Sequence, residues 1–204
     1  MLARDRATLS SRCREGGSWS SEARSSTHIA SPLQALLEDR ALAGEWVLDP
    51  GRSSVRLTNR SVCGLVRANG VFRQVSGTGT VAPDGKVSGT VTVAAASIDT
   101  RNTRRDTHLR SADFFDSANH PDITFTADVV RLSGQGVVVT GVLIVRDRTR
   151  PLSFDAAASV RGAGEICLDA EVRINRADFG LTWNLAGLLS MDNTLTIHAV
   201  FTRR

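Results

Sequence analysis

Arg101, Arg104, Arg105, Asp106, His108 and Arg110 crowd into ten residues and carry most of the chemistry this sequence offers. A guanidinium is a planar fork that donates two hydrogen bonds at once, which suits a phosphate, pyrophosphate or quinone head. One reading therefore makes Arg101, Arg105, His108 and Arg110 head-group contacts. The other is a helix capped by Thr103 with a solvated basic face. Acid–base work by His108 with Asp106 or Asp113 is a weaker fit. Positions i and i+2 do not meet on a helix, and no Ser or Cys stands in a nucleophile motif. Asp99 and Asp106 read as turn and cap formers that satisfy backbone donors. No catalytic residue is assigned. Nor is a metal or other cofactor expected: His28, His108, His120 and His198 show no HxxxH or HxH pairing, and Cys13, Cys63 and Cys167 no CxxC.

The elements that must position these groups are strands. Val55, Leu57 and Asn59 alternate with Arg56, Thr58 and Arg60, and Val87, Gly89, Val91, Val93 and Ala95 with polar or small neighbours. The same period of two returns in Ile123-Phe125-Ala127-Val129, Leu152-Phe154-Ala156-Ala158-Val160, Ile166-Leu168-Ala170-Val172-Ile174 and Leu195-Ile197-Ala199-Phe201. Turn signals separate them at Pro83-Asp84-Gly85, Ser133 to Gly136 and Arg161 to Gly164. Residues 137–146 (VVVTGVLIVR) are more continuously apolar, as a strand buried on both faces would be. About eight strands at hairpin spacing, broken by one helical excursion, predict an all-β fold. A closed antiparallel barrel is favoured because an open sheet would leave aggregation-prone edges.

Many inward candidates are small: Gly89, Ala95, Ala127, Ala156, Ala158, Ala170 and Ala199. Eight strands enclose just enough room for side chains or for one slender ligand. Small residues on several strands favour the ligand, since a dry core packs to about 0.75 of its volume. The expected interior is Val55, Leu57, Val91, Val93, Phe125, Ala127, Phe154, Ala156, Leu168, Ala170, Leu195 and Ile197. Phe114, Phe179, Leu181, Trp183 and Leu188 are expected at the mouth, as a lid or as ordinary packing of a long connection. Trp46 reads as a plug at the closed end.

Charge and hydropathy exclude other classes. The chain of 204 residues has net charge +4, with Lys86 its only lysine, but its arginines sit singly among acids, so no nucleic-acid partner is expected. No window approaches 18 apolar residues, so no integral membrane segment is expected. Residues 1–44 read as a disordered leader carrying a short helix at 31–42, without the apolar core of a signal peptide, which predicts a cytoplasmic protein. Residues 45–204 form the domain. A homodimer is left open.

The interruption at 97–125 reads SIDTRNTRRDTHLRSADFFDSANHPDITF. With Trp46-Val47-Leu48-Asp49-Pro50 before it and Asn175-Arg176-Ala177-Asp178-Phe179-Gly180 after it, the order of motifs resembles the YceI family of polyisoprenoid-binding proteins. The resemblance spans 45–203. It implies an eight-stranded lipocalin-like barrel with a short helical excursion, enclosing a long apolar lipid: a polyisoprenoid, an isoprenoid quinone or a fatty amide. It implies a carrier that transports or stores isoprenoids, and no enzyme. The chain departs from the pattern in its leader, in lacking the secretion signal of many relatives, and in placing Asn59-Arg60-Ser61 where relatives often carry Val-x-His. The rival readings are an enzyme acting on a bound isoprenoid lipid and a stress-related interaction module.

Overall fold

The computed structural model describes residues 40–61, 67–134, 136–162, 164–184 and 189–204. Eleven strands form one sheet: β1 (Gly44–Leu48), β2 (Ser54–Ser61), β3 (Arg67–Phe72), β4 (Val75–Val81), β5 (Val87–Ala94), β6 (Ile98–Asp99), β7 (Asp122–Ser133), β8 (Gly136–Val145), β9 (Arg148–Arg161), β10 (Glu165–Asn175) and β11 (Leu189–Arg203). A single α-helix among the described residues, α1 (Thr103–Arg110), lies between β6 and β7.

The eleven segments make an eight-stranded closed barrel. β1 and β2 face β4 and β3 in turn, with Val47 opposite Thr78 and Val55 opposite Phe72, so each pair is one interrupted strand. β5 and β6 continue the pattern, with Val93 opposite Val75 and Ile98 opposite Phe72. β5 then pairs with β7, and from β7 to β11 each strand pairs antiparallel with the next. β11 closes the ring, placing Ile197 opposite Val55 and Phe201 opposite Leu48. Closure removes the free edge on which another chain could pair.

The up-and-down order gives the barrel two unlike ends. The β4–β5, β7–β8 and β9–β10 turns gather at the turn end; α1 and the β8–β9 and β10–β11 connections gather at the helical end. At the turn end Leu42, Trp46 and Val81 form a buried cluster. Along the wall and towards the helical end the buried residues include Phe72, Val93, Ile98, Phe115, Leu143, Phe179 and Leu181.

The expectation that 137–146 is buried on both faces does not hold. Val137, Val139, Leu143 and Val145 are buried, Val138, Val142 and Ile144 half-buried, and Thr140 exposed. The outward face of β8 is apolar because β-branched residues suit a pleated strand whether or not it is covered. Ala95, expected on the inward face, lies fully buried in a 3₁₀ turn (Ala95–Ser97). The predicted helix at 31–42 falls largely outside the described residues; Arg40 to Leu42 form a turn.

Gly141 illustrates how tightly the wall is drawn. It sits opposite Ala127, beside the bulge in β7, where the register shifts between Ala127 and Val129. A Cβ there would collide with the carbonyl oxygen of Thr126 and come within 2.8 Å of Ala127 Cα, both unyielding backbone. Gly141→Ala is expected to destabilise the fold by about 1–3 kcal/mol, read as a lower urea midpoint, because crowding a packed site forces backbone shifts.

Candidate functional site

α1 has almost no apolar face, so polar contacts dock it. Its N-cap is Asn102, whose extended backbone (φ −145°) lets the side-chain oxygen accept the Arg105 N–H at 3.0 Å. This corrects the expected cap, Thr103, which is the first helical residue; both types cap well, and the backbone turn decides between them. Buried Asp106 accepts from the Thr100 N–H at 2.9 Å and the Thr100 hydroxyl at 2.5 Å. Arg105 donates from Nε to Thr100 Oγ1 and from Nη2 to Thr100 O. Asp99, as expected, satisfies a turn by accepting from the Arg101 N–H at 2.8 Å.

The barrel encloses a cavity of about 1570 Å³. All twelve residues of the expected interior line it, from Val55 and Leu57 on β2 to Leu195 and Ile197 on β11, whereas the inward candidate Ala95 does not. So do Phe114, Phe179, Leu181 and Trp183 at the helical end; Leu188 lies outside the described residues. Trp46, 2 % exposed, lines the turn end beside Leu42.

The arginines divide. Arg105 and His108 line the cavity, as does Arg104, whereas Arg101 and Arg110 do not. Arg101 is exposed, and Arg110 donates from Nη2 to the Ile98 carbonyl at 2.7 Å, holding α1 to β6. Trp183 stands edge-on to His108, with ring centroids 4.3 Å apart, and Phe114 lies 5.3 Å from His108. His108 Nε2 is 3.4 Å from Asp113. His198 pairs with Asp169 across β10 and β11 and does not line the cavity.

Among the described residues no group of three or more His, Cys, Asp and Glu side chains is placed to hold a metal ion. No helix there is long and apolar enough to cross a membrane. Cys167 is a free, buried thiol, pushed up from its ordinary value by burial first and then by the Glu165 carboxylate. Cys13 and Cys63 lie outside the described residues.

Fully buried polarity is one-sided. The buried polar or charged residues among those described are Thr100, Asp106, Arg176 and Asn193, all at the helical end. Among the polar side chains that line the cavity and were absent from the expected site, Arg176, Asn59 and Asn193 stand at the helical end, while Arg40, Asp84 and Arg131 stand at the turn end. Asn59 Nδ2 donates to Asn193 Oδ1 at 2.9 Å and to Ser190 O at 2.8 Å, the two asparagines being cross-strand partners. Their signal was legible in part, since Asn59 interrupts an inward apolar series on β2.

A family model described as the YceI-like domain matches residues 46–201. Protein YceI of Escherichia coli O6:H1 is 35% identical over 100 residues, covering 47% of this chain and 52% of that protein. A UPF0312 protein of Pectobacterium atrosepticum is 36% identical over 115 residues, 52% of this chain and 58% of that protein. The chain thus spans about half the length of the curated relatives it matches. Among solved structures, Burkholderia cenocepacia BcnA superposes with a TM-score of 0.68 at 20% identity, covering 75% of this chain and 98% of that one. A polyisoprenoid binding domain from Saccharophagus degradans gives 0.65 at 18% identity, covering 78% and 98%. The YCEI protein of Campylobacter jejuni gives 0.60 at 26% identity, covering 69% and 87%.

Proposed function

The chain belongs to the YceI-like domain family, and on that premise we propose that it is a binding protein whose barrel holds one long apolar lipid: a polyisoprenoid, an isoprenoid quinone or a fatty amide. The observation that carries this reading is the cavity of about 1570 Å³ with an almost wholly apolar wall. Pockets for drug-sized ligands run to about 300–1,000 Å³, so this space suits a longer molecule. Burying each methylene is worth about 0.8 kcal/mol, and an isoprene unit therefore about 4 kcal/mol. Several units exceed an association cost of about 4–15 kcal/mol. The buried polar residues, all at the helical end, give such a ligand a direction, with its tail running towards Trp46. The polyisoprenoid-binding description of the Saccharophagus degradans domain supports the same ligand class.

Native mass spectrometry of the full chain tests this. One lipid per barrel is expected, taken up from an offered polyisoprenoid and recovered with its mass unaltered. A barrel that takes up no lipid would overturn the carrier reading, and a lipid released with altered mass would favour turnover at His108.

A further inference from the structure

Three arginine side chains among the described residues carry a buried nitrogen with no hydrogen-bond partner: Arg110 Nε, Arg146 Nε and Arg176 Nη2. Only Arg176 also lines the cavity. Arg176 is only 4% exposed, standing where the 3₁₀ turn Arg176–Phe179 leaves β10. Nε donates to Ser190 O at 3.1 Å, and Nη1 donates to Leu181 O at 2.7 Å and Trp183 O at 2.6 Å. Phe114 lies under the guanidinium, its ring centroid 5.7 Å from Cζ.

These contacts have an obvious structural use, since they tie the connection after β10 to the barrel. They leave two facts over. Nη2 has two hydrogens and, among the described residues, nothing to donate them to. Every acceptor is a neutral carbonyl, and among the described residues no carboxylate pairs with Arg176, so a full positive charge sits desolvated at the apolar cavity. An isolated buried cation costs several kcal/mol unless an anion or strong acceptor meets it. Burial accordingly pushes the guanidinium below its ordinary value. Clamping carbonyls needs donors; it does not need this unanswered charge.

We propose that Arg176 is an internal anchor for the ligand's head group, and that the head group is anionic, a carboxylate or a phosphomonoester, drawn inside the barrel beneath Trp183 and Phe114. The Asn59–Asn193 amide pair, also on the cavity wall at this end, supplies the neighbouring polar surface. Nη2 is itself covered, so the head group reaches it only as adjacent side chains give way. This rests on the carrier reading and narrows it to lipids with an acidic head, which leaves out the quinone and the fatty amide.

The test is displacement of a fluorescent apolar probe from the full chain by a geranylgeranyl series that differs only at the head: carboxylate, phosphomonoester, alcohol and hydrocarbon. The wild-type protein is expected to bind the two anions at least tenfold more tightly than the hydrocarbon, with the alcohol between. Arg176→Met is expected to erase that preference while still binding the hydrocarbon. Arg176→Lys, which keeps the charge but not the fork, is expected to keep part of it. Equal affinity of the wild-type protein for all four heads would overturn the anchor, whether or not any variant folds. A preference that persists undiminished in folded Arg176→Met would overturn it too. If none of the four lipids displaces the probe, the carrier reading falls instead, so the two failures are separable.

Discussion

Ala170→Trp is expected to abolish lipid uptake while leaving the barrel folded. Ala170 lies on β10 directly opposite Ala156 of β9 and Ile197 of β11, and all three line the cavity. Two facing alanines make the wall recede midway along the barrel, where a ligand's tail must pass. An indole there projects into space that only ligand would fill, so the strands need not move. Excluding about four methylenes forfeits about 3 kcal/mol, more than a hundredfold in affinity. Loss of the lipid-bound species in a native mass spectrum, with an unchanged circular dichroism spectrum, checks this. Ala157→Trp is the matched control: Ala157 neighbours Ala156 but is exposed on the outer face, and uptake should be unaffected. Undiminished uptake by Ala170→Trp would mean that the ligand does not occupy this space.

Such a prediction was already available from the sequence, because strand period is a local property. Once Ile166, Leu168 and Ala170 alternate with polar residues, the choice of inward face follows, and small residues on several inward faces imply room. What eluded the sequence depended on how distant elements meet. Arg101 and Arg110 flank Arg105 in sequence, yet one faces solvent and the other spends its guanidinium on the Ile98 carbonyl. The direction of each is set by how an eight-residue helix with little apolar surface docks on Thr100. Arg176 was visible only as part of a motif. Its importance comes from carbonyls at Leu181, Trp183 and Ser190, brought to it by a connection without period. Asn59 and Asn193 each break an inward apolar series, but only the closure of β2 on β11 makes them neighbours.

Trp46→Ala is expected to be the most destabilising single change, at about 3–5 kcal/mol, the usual cost of deleting a buried aromatic side chain. Trp46 is 2 % exposed and packs on Leu42 and Val81, with Val87, Val160, Ile166 and Phe201 around them. Its strand is the one that closes the ring at the turn end, pairing with β4 on one side and β11 on the other. The ring also joins two separate pieces of chain to that closure: Nε1 donates to Leu42 O at 3.0 Å, and the Arg203 guanidinium lies 5.1 Å over the indole. Urea unfolding measures the loss; with a slope of about 1–3 kcal/mol per molar, the midpoint falls by roughly 1–5 M. Trp46→Phe separates the two roles, since it keeps most of the apolar volume and leaves Leu42 O without its donor, a loss of about 1 kcal/mol. If Trp46→Phe were as damaging as Trp46→Ala, the hydrogen bond to Leu42 would be the main tie. If neither mattered, the turn end would be held by its strand pairing alone. Because Trp46 also lines the cavity, its removal lengthens the tunnel towards solvent at the tail end, and a bound lipid in a surviving Trp46→Ala barrel is expected to dissociate faster than from the wild-type protein.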